Sequence, residues 1–311
     1  MATITKWVLT LCLLLSLVGC NKKPHIPDEE VDNDSYRRIT YNGVDYKYNS
    51  HLVNFLVLGT DTYEDTIGQS DFIGLLIFDR QNEKISIFSL SRDAYVPIKT
   101  YGVGGEFIDW SSNHLALAYS YGRDRKEASY LSADAVSRLL NNIPMSYVSS
   151  FDLNSIYNIH SVVGSVDVVI PDDSLVFANP SWKKGKTLTI TSDNVEAFVR
   201  TRNVKENFTN TNRMTRQRTY LLAFSEKLKT LLNENFEETA MNLETAMGDC
   251  FTNFDLSEIE AFAKMMMEYE FGEDSFYTLP GGDEQGALHD RFIVDEDALL
   301  ELLIELFYVE I

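Results

Sequence analysis

Hydrophobic residues gather in three short runs early in the chain, and each run has the length of a β-strand. The runs cover residues 53–58, 72–78 and 85–90 and are rich in aliphatic and aromatic side chains. A polar turn at 79–83 joins the second run to the third. This pattern predicts three sequential strands of one sheet.

Polar residues stand at one tip of each predicted strand. Asp61 follows the first strand, Asp71 opens the second, and Arg92 follows the third. If neighbouring strands run antiparallel, these tips meet at one end of the sheet, where two carboxylates and a guanidinium could hold a divalent metal and a phosphate. The alternative is that both aspartates are ordinary strand-end residues, because Asp is favoured in turns.

The stretch from Arg200 to Arg218 is cationic in an otherwise acidic chain. The sequence has 47 acidic and 27 basic residues and a formal charge of −20, whereas this stretch holds five Arg and one Lys against one Glu. Arg presents a planar fork suited to phosphate oxygens, so the cluster indicates a ligand with several anionic oxygens, such as a pyrophosphate. A solvated helix face that pairs with acids elsewhere is the alternative.

The rest of the chain contains both helix-like and strand-like patterns of hydrophobic residues. A Gly-containing loop at 101–110 is expected to lead into a helix at 113–121. Further helices are expected at 132–140, 154–163, 193–202, 213–232, 255–269 and 295–307, and further strands at 147–152, 166–170 and 276–279. The mixture predicts an α/β or mixed α+β fold, with a central mixed sheet flanked by helices.

The helix predicted to begin at Arg213 concentrates polar groups in its first turn. Arg216 and Gln217 share a face with Arg213, at spacings of three and four residues. A helix N-terminus also offers free backbone N–H groups to an anion. We therefore expect Arg213, Arg216 and Gln217 to converge on one ligand, with Arg200 and Arg202 delivered by the preceding helix.

The first 20 residues form a targeting segment. Lys6 precedes an apolar run at 7–18 that is short for a membrane span. The ending at 17–20 resembles a bacterial lipobox, which would make Cys20 the lipid-modified N-terminus and the membrane anchor. An uncleaved signal anchor is the alternative. Either arrangement places the protein on the outer face of the cytoplasmic membrane.

Two further regions follow the targeting segment. Residues 21–49 are predicted to form a polar spacer, since they begin with a charged stretch that lacks an apolar period. Residues 50–311 are predicted to form one folded domain, which is within the usual size range for a mixed fold.

Other kinds of chemistry have little support. With Cys12 and Cys20 in the targeting segment, Cys250 has no partner for an intramolecular disulfide. The five histidines show no H-E-x-x-H or other metal-ligand spacing, and no G-x-S-x-G motif occurs. The chain is acidic and its basic residues cluster in only one short stretch, which argues against nucleic acid as a partner.

Several motifs occur together in an order that resembles the LytR-CpsA-Psr (LCP) family. The stretch from Asn54 to Ile98, NFLVLGTDTYEDTIGQSDFIGLLIFDRQNEKISIFSLSRDAYVPI, resembles the opening of the LCP domain. Further similar segments are HLALAYSYG at 114–122, VVGSVDVVIP at 162–171, AFVRTR at 197–202, RMTRQR at 213–218, TNFDLSEIEAF at 252–262, YTLPGG at 277–282 and FIVDEDALLELLIELF at 292–307. The resemblance covers roughly residues 50–310.

The resemblance implies a specific activity. LCP enzymes transfer a glycopolymer or sugar phosphate from a polyprenyl-pyrophosphate carrier to peptidoglycan, forming a phosphodiester outside the membrane. The carrier's tail is expected in an apolar tunnel between sheet and helices. By resemblance, Asp61 and Asp71 would bind Mg²⁺ (or Mn²⁺) and act in catalysis with Arg92. The pyrophosphate clamp would comprise Arg92, Arg200, Arg202, Arg213, Arg216 and Gln217.

Three positions depart from the family's pattern. Gln69 stands where the family usually has an arginine, Asn210 where it usually has an aspartate, and Ser91 where it usually has a proline. One positive charge and one carboxylate are therefore missing near the expected chemistry. These departures keep a second hypothesis open: a lipoprotein that binds a polyprenyl pyrophosphate or another cell-wall component without turnover.

Overall fold

The computed structural model describes residues 35–62, 66–203, 205–206, 209–286 and 289–311. The predicted signal peptide, Cys20 and the predicted spacer up to residue 34 lie outside the described residues. The strands are β1 (Arg38–Tyr41), β2 (Val44–Tyr48), β3 (Leu52–Thr60), β4 (Ser70–Asp79), β5 (Lys84–Leu90), β6 (Tyr95–Tyr101), β7 (Phe107–His114), β8 (Tyr147–Phe151), β9 (Val166–Val169), β10 (Thr187–Ile190), β11 (Phe251–Thr252), β12 (Phe276–Thr278), β13 (Gly281–Glu284), β14 (Arg291–Val294) and β15 (Tyr308–Glu310). The helices are α1 (Leu117–Ser120), α2 (Arg125–Leu139), α3 (Leu153–Ser161), α4 (Val195–Arg200), α5 (Thr209–Glu234), α6 (Phe236–Ala246), α7 (Ile259–Glu268) and α8 (Glu296–Phe307).

A six-stranded mixed sheet forms the centre of the fold, in the order β11-β8-β3-β4-β5-β12. The three apolar runs form its central strands, and both β3/β4 and β4/β5 pair antiparallel. By contrast, β8 joins β3, and β12 joins β5, in parallel. The predicted mixed sheet with flanking helices is confirmed.

Alternate residues of the central strands enter two separate cores, one on each face of the sheet. Leu56 and Leu58 of β3 pack into the first core with α2, β6 and α8. Phe55 of β3 packs into the second core with α4, α5, α6 and α7, and Val57 packs against it. This period-two alternation in a strand buried on both faces explains why β3 is apolar at nearly every position.

Several helices begin at a polar residue whose side chain caps the first turn. Asp124, Asp152, Asn235 and Asp295 each accept a hydrogen bond from the backbone N–H three residues later. Such caps satisfy N–H groups that have no partner within the helix. The cap at Asp152 begins α3, which lies beside the cavity described below.

The predicted spacer boundary at residue 50 is wrong, because strands already occur from Arg38 onward. Strands β1 and β2 form a hairpin, and β15 at the C-terminal end pairs with β2. Short alternating segments such as 38–41 and 44–48 give a weak sequence signal, and a strand more than 250 residues away completes their sheet.

Two other expectations also change. The predicted loop at 101–110 and the start of the predicted helix at 113–121 belong to the β6–β7 hairpin, and only Leu117–Ser120 is helical there. The helix predicted from Arg213 begins at Thr209, one turn earlier. The N–H of Arg213 therefore lies inside α5 and is not a free donor for an anion.

Candidate active site

The antiparallel pairing of β3, β4 and β5 brings the polar residues at the tips of these three strands to one end of the sheet, as predicted. Thr60, next to Asp61, pairs with Ser70, next to Asp71. On the other side of β4, Ile73 pairs with Leu90, which precedes the Ser91-Arg92-Asp93 segment.

Asp71 lies at the centre of a cluster of three arginines. Its carboxylate accepts a hydrogen bond from Nη1 of Arg92, and Oδ1 lies 3.4 Å from Nη1 of Arg213. Its Oδ2 lies 3.5 Å from Nη2 of Arg200. Burial alone would raise the pKa of Asp71, but the charges of Arg213, Arg92 and Arg200 hold this pKa below its ordinary value. The carboxylate is therefore anionic at neutral pH.

Neutral side chains at the two main departures from the family pattern join this cluster. Gln69 accepts a hydrogen bond from Nη2 of Arg92 through its Oε1. Asn210, only 4% exposed, accepts a 2.7 Å hydrogen bond from Nη2 of Arg213 and donates a 3.1 Å hydrogen bond to Oγ of Ser91. Both amides thus orient an arginine without adding charge.

Two further carboxylates pair with arginines of the cluster: Oε1 of Glu196 lies 2.6 Å from Nη1 of Arg200, and Oδ1 of Asp93 lies 3.4 Å from Nε of Arg92. Burial lowers the pKa of Arg213 to about 10, so its guanidinium stays charged at neutral pH. Arg200 and Arg213 each have a buried Nε–H without a hydrogen-bond acceptor among the described residues, whereas Nε of Arg92 lies 3.4 Å from the carboxylate of Asp93. Buried donors usually find acceptors, so two such groups in one place indicate a site for an oxyanion.

Asp61 lies at the same edge of the sheet and is fixed by its own loop. Its Oδ1 accepts a hydrogen bond from the backbone N–H of Gln69. A Cβ at Gly68 would lie 2.1 Å from this oxygen, so the glycine is needed for the carboxylate to sit there. The described residues contain no group of three or more His, Cys, Asp or Glu side chains that could hold a metal ion.

Arg216 does not join the cluster, which corrects the predicted convergence of Arg213, Arg216 and Gln217. The side chain of Arg216 is fully buried, and its guanidinium donates to the carbonyls of Phe198 and Thr201 and to Oγ of Ser174. It therefore fastens α5 to α4 and to the loop after β9. The period of an α-helix placed it near Arg213 but could not show where a long side chain would turn.

Gln217 and Arg202 occupy different positions near the cluster. Gln217 donates a 3.2 Å hydrogen bond to the carbonyl of Val199 and lines a cavity beneath the cluster. The positive charge of Arg202 contributes to the field at Arg213, since it helps to lower the pKa of that guanidinium. The predicted helix at 193–202 ends earlier, at Arg200, so α4 carries Arg200 as predicted whereas Arg202 lies in the loop that follows.

An apolar cavity of about 300 Å³ runs from the cluster between the sheet and the helices of its second face. Asp71, Arg200 and Gln217 are among its polar lining residues at the end near the cluster. Its apolar lining includes Phe55, Val57, Leu76, Ile85, Ile87, Phe151, Ile156, Ile159, Tyr220, Leu221, Phe224, Leu243, Met247, Met266 and Phe271. The cavity thus joins a charged head region to an apolar channel.

The cavity lies between the sheet and the helices, which is where the resemblance to the LCP family implies the carrier's tail. Leu221 and Phe224 of α5 continue the face that starts at Gln217, and Tyr220 also lines the cavity. Cys250 also lines the cavity, and burial raises the pKa of its thiol to about 11, so it remains a neutral filler.

Comparisons with known proteins agree on one family. A sequence model of the LytR_cpsA_psr family matches residues 21–307. The chain is 27% identical over 154 residues to a polyisoprenyl-teichoic acid–peptidoglycan teichoic acid transferase, TagU, of Bacillus cereus, which covers 49% of this chain and 45% of TagU. It therefore spans about half the length of the curated relative that it matches.

Solved structures show the same fold. The crystal structure of Bacillus subtilis TagT has a TM-score of 0.61 and 22% identity, covering 83% of this chain and 90% of TagT. A structure of TagT with bound octaprenyl pyrophosphate lipid also has a TM-score of 0.61, at 20% identity, covering 92% and 95% of the two chains.

Proposed function

The chain belongs to the LytR_cpsA_psr family, and from that premise we propose that it transfers a glycopolymer or sugar phosphate from a polyprenyl-pyrophosphate carrier to peptidoglycan. The product is a phosphodiester, formed outside the cytoplasmic membrane. Relatives carry the name of teichoic acid transferases, and one solved relative holds a polyprenyl pyrophosphate.

The observation that carries this proposal is the junction of a cationic cluster with an apolar cavity. A polyprenyl pyrophosphate is an amphiphile with a strongly anionic head and a hydrocarbon tail. The arginines around Asp71 suit the head, and the cavity between Phe55 and Phe271 suits part of the tail. Each CH₂ group removed from water contributes about 0.8 kcal/mol, so the tail would supply much of the affinity.

The arginines would favour reaction as well as binding. Negative charge on the pyrophosphate repels an approaching hydroxyl and builds up on the departing phosphate. Arg92, Arg200 and Arg213 are already held in place by Asp71, so they can stabilise this charge without first reorganising. Arg202 would add positive charge near the pyrophosphate. Gln217 would lie where the pyrophosphate joins the hydrocarbon tail.

Asp61 and Asp71 fit the proposed Mg²⁺ (or Mn²⁺) site. Mg²⁺ in phosphoryl-transfer sites takes one or two carboxylates and completes its shell with water and substrate phosphate. Asp61 and Asp71, at adjacent strand ends, would supply such a donor set. When bound, the ion would supply further positive charge to the pyrophosphate.

We further propose that Cys20 carries the lipid that tethers the protein to the membrane. The support for this proposal is the sequence at 17–20, which resembles a lipobox. Among the described residues, which begin at Ser35, no helix is long and apolar enough to cross a bilayer. A lipid tether at Cys20 would keep the cavity near carriers in the outer leaflet. Labelling cells with a fatty-acid analogue would test this, since the Cys20→Ala variant should lose the label.

Calorimetric titration with octaprenyl pyrophosphate and Mg²⁺, together with a transfer assay on a polyprenyl-pyrophosphate-linked sugar, tests the proposed function. Binding with transfer supports the enzyme. Binding that Arg213→Ala weakens, without transfer by the wild-type protein, would favour the non-catalytic binder. No binding would contradict both functions.

A further inference from the structure

A second polar cluster adjoins the arginines on the side of β5 and β6. Asp93 is buried, and its Oδ1 lies 3.4 Å from Nε of Arg92 and 3.9 Å from Nδ1 of His114. Its backbone is fixed, because its N–H donates to Oγ of Ser91 and its carbonyl accepts from the N–H of Phe292. Arg92 thus links Asp93 on one side to Asp71 on the other.

His114 occupies the end of β7, directly opposite Tyr95 at the start of β6. Burial lowers the pKa of His114, the charge of Asp93 opposes this, and Arg92, His289 and Arg291 lower it further. The net effect keeps the imidazole neutral at neutral pH. With Nδ1 turned towards Asp93, Nε2 is the nitrogen left to accept a proton.

The proposed transfer needs a proton acceptor, and the central carboxylate is unsuited to that task. Asp71 is paired with three guanidinium groups that hold its pKa below the ordinary value, so it is a weak base. Asp61 has one oxygen committed to the N–H of Gln69. A neutral imidazole beside a carboxylate is better suited, because the carboxylate stabilises the imidazolium that forms.

We propose that His114, positioned by Asp93, accepts the proton of the acceptor hydroxyl in the transfer reaction. This inference rests on the proposed function and adds a catalytic base that the resemblance did not suggest. The carboxylate of Asp93 lies close to both Arg92 and His114. Asp93 therefore connects the imidazole to Arg92, which would bind the pyrophosphate.

The proposed step balances as follows. The acceptor's hydroxyl oxygen forms a bond to the sugar-linked phosphorus, and the bond from that phosphorus to the bridging oxygen breaks. The bridging oxygen and its electron pair leave as polyprenyl phosphate, whose added negative charge the arginines stabilise. The hydroxyl proton moves to Nε2 of His114, and the resulting imidazolium forms an ion pair with Asp93 before releasing the proton to water.

Release of polyprenyl phosphate from a polyprenyl-pyrophosphate-linked sugar, with peptidoglycan as acceptor, tests the inference across pH 5 to 9. In the wild-type protein the rate should rise with pH through the pKa of His114, which lies below the ordinary value of about 6.5. His114→Gln should lower the rate by about 10²- to 10⁴-fold and abolish this rise, since general bases contribute that much. Binding of octaprenyl pyrophosphate should be unchanged, since the proposed role of His114 is towards the acceptor hydroxyl and not towards the carrier.

Two variants separate a catalytic role from a structural one. Asp93→Asn should shift the rise in rate to lower pH, because Asp93 raises the pKa of His114. In His289→Gln, the removed imidazole lies 6.3 Å from that of His114 and lowers its pKa, so this variant should keep the rate at high pH and shift the rise towards higher pH, opposite to Asp93→Asn. A structural role would change the rate without moving the pH profile.

Different outcomes test the proposed transfer function and the proposed role of His114. Turnover by the wild-type protein that His114→Gln retains, with its pH profile intact, would overturn the role of His114 alone. Bound carrier without turnover in the wild-type protein would overturn the proposed function and this inference with it. A His114→Gln variant that still binds the carrier but has lost turnover and the rise with pH supports both.

Discussion

Arg213 and Asp71 are 142 positions apart in the chain, and Nη1 of Arg213 lies 3.4 Å from Oδ1 of Asp71. Arg213 is carried by α5 and Asp71 by β4, so the pair fastens the helix that lines the cavity to the sheet that forms its floor. The same arginine is only 3% exposed at its side chain. Charge that is buried and partly balanced in this way is suited to an anionic ligand.

Arg213→Ala should weaken ligand binding, whereas Arg218→Ala should leave it nearly unchanged. Loss of Arg213 removes charged hydrogen bonds worth about 1.5 to 3 kcal/mol, so the Kd for octaprenyl pyrophosphate should rise about 10- to 100-fold. Arg218, exposed on the same helix, donates to the carbonyl of Glu273 and should leave binding within about twofold. Calorimetry on both variants checks this, and equal losses would contradict a specific role for Arg213.

Arg216→Met should affect folding stability more than binding. The substitution leaves two carbonyls, those of Phe198 and Thr201, without their guanidinium donor. The free energy of unfolding should fall by about 2 kcal/mol or more. Urea unfolding measures the loss. If instead stability is kept and pyrophosphate binding is lost, Arg216 contacts the ligand and the assignment made from its hydrogen bonds is wrong.

Leu221→Trp should shorten the tail that the cavity accepts. Leu221 lines the cavity, so the larger ring occupies space that the hydrocarbon would fill. The gain in affinity from each added isoprene unit should end at a shorter tail than in the wild-type protein, while affinity for inorganic pyrophosphate stays the same. Met241→Trp, at a side chain that is 60% exposed on α6, is the matched control. A tail-length dependence identical in all three proteins would place the hydrocarbon elsewhere.

Asp152 should make stability depend on pH in the acid range. Burial raises the pKa of Asp152, but hydrogen bonds from Ser155 and the charge of Arg125 outweigh this and lower it below its ordinary value. The stabilisation is therefore present above the unfolded pKa, about 3.9, and is lost as pH falls through the lower folded pKa. Asp152→Asn keeps a capping side chain but loses the charge.

We expect Asp152→Asn to be less stable than wild type by about 1 kcal/mol at pH 7, with the difference shrinking as pH falls through the lowered folded pKa of Asp152. Urea unfolding of both proteins between pH 7 and pH 2.5 measures this difference. Asp249→Asn, at an exposed position, should show no such trend. A difference that grows as pH falls would reverse the sign and contradict the account.

The central strands, and the meeting of Asp61, Asp71 and Arg92 at one end of the sheet, could be predicted because the sequence patterns that indicate them are local. Apolar runs of strand length define β3, β4 and β5, and antiparallel pairing of consecutive strands then places Asp61, Asp71 and Arg92 at one edge. The cationic stretch from Arg200 to Arg218 could likewise be identified, since the rest of the chain is acidic.

The remaining features depend on contacts that the sequence does not show. The strands β1 and β2 are completed by β15 from the opposite end of the chain. Arg216 has the helical spacing of a site residue, yet its long side chain turns to the carbonyls of Phe198 and Thr201. Asn210 looked like a loss of function, whereas its amide connects Arg213 to Ser91.

The most direct test is to follow phosphodiester formation from a polyprenyl-pyrophosphate-linked sugar to peptidoglycan by mass spectrometry. We compare the wild-type protein with Asp71→Asn in the presence of Mg²⁺. The account predicts a sugar–phosphate–peptidoglycan product and an equal amount of polyprenyl phosphate from the wild-type protein, and neither from the variant. Bound carrier with no phosphodiester in the wild-type protein, or full activity in Asp71→Asn, would contradict it.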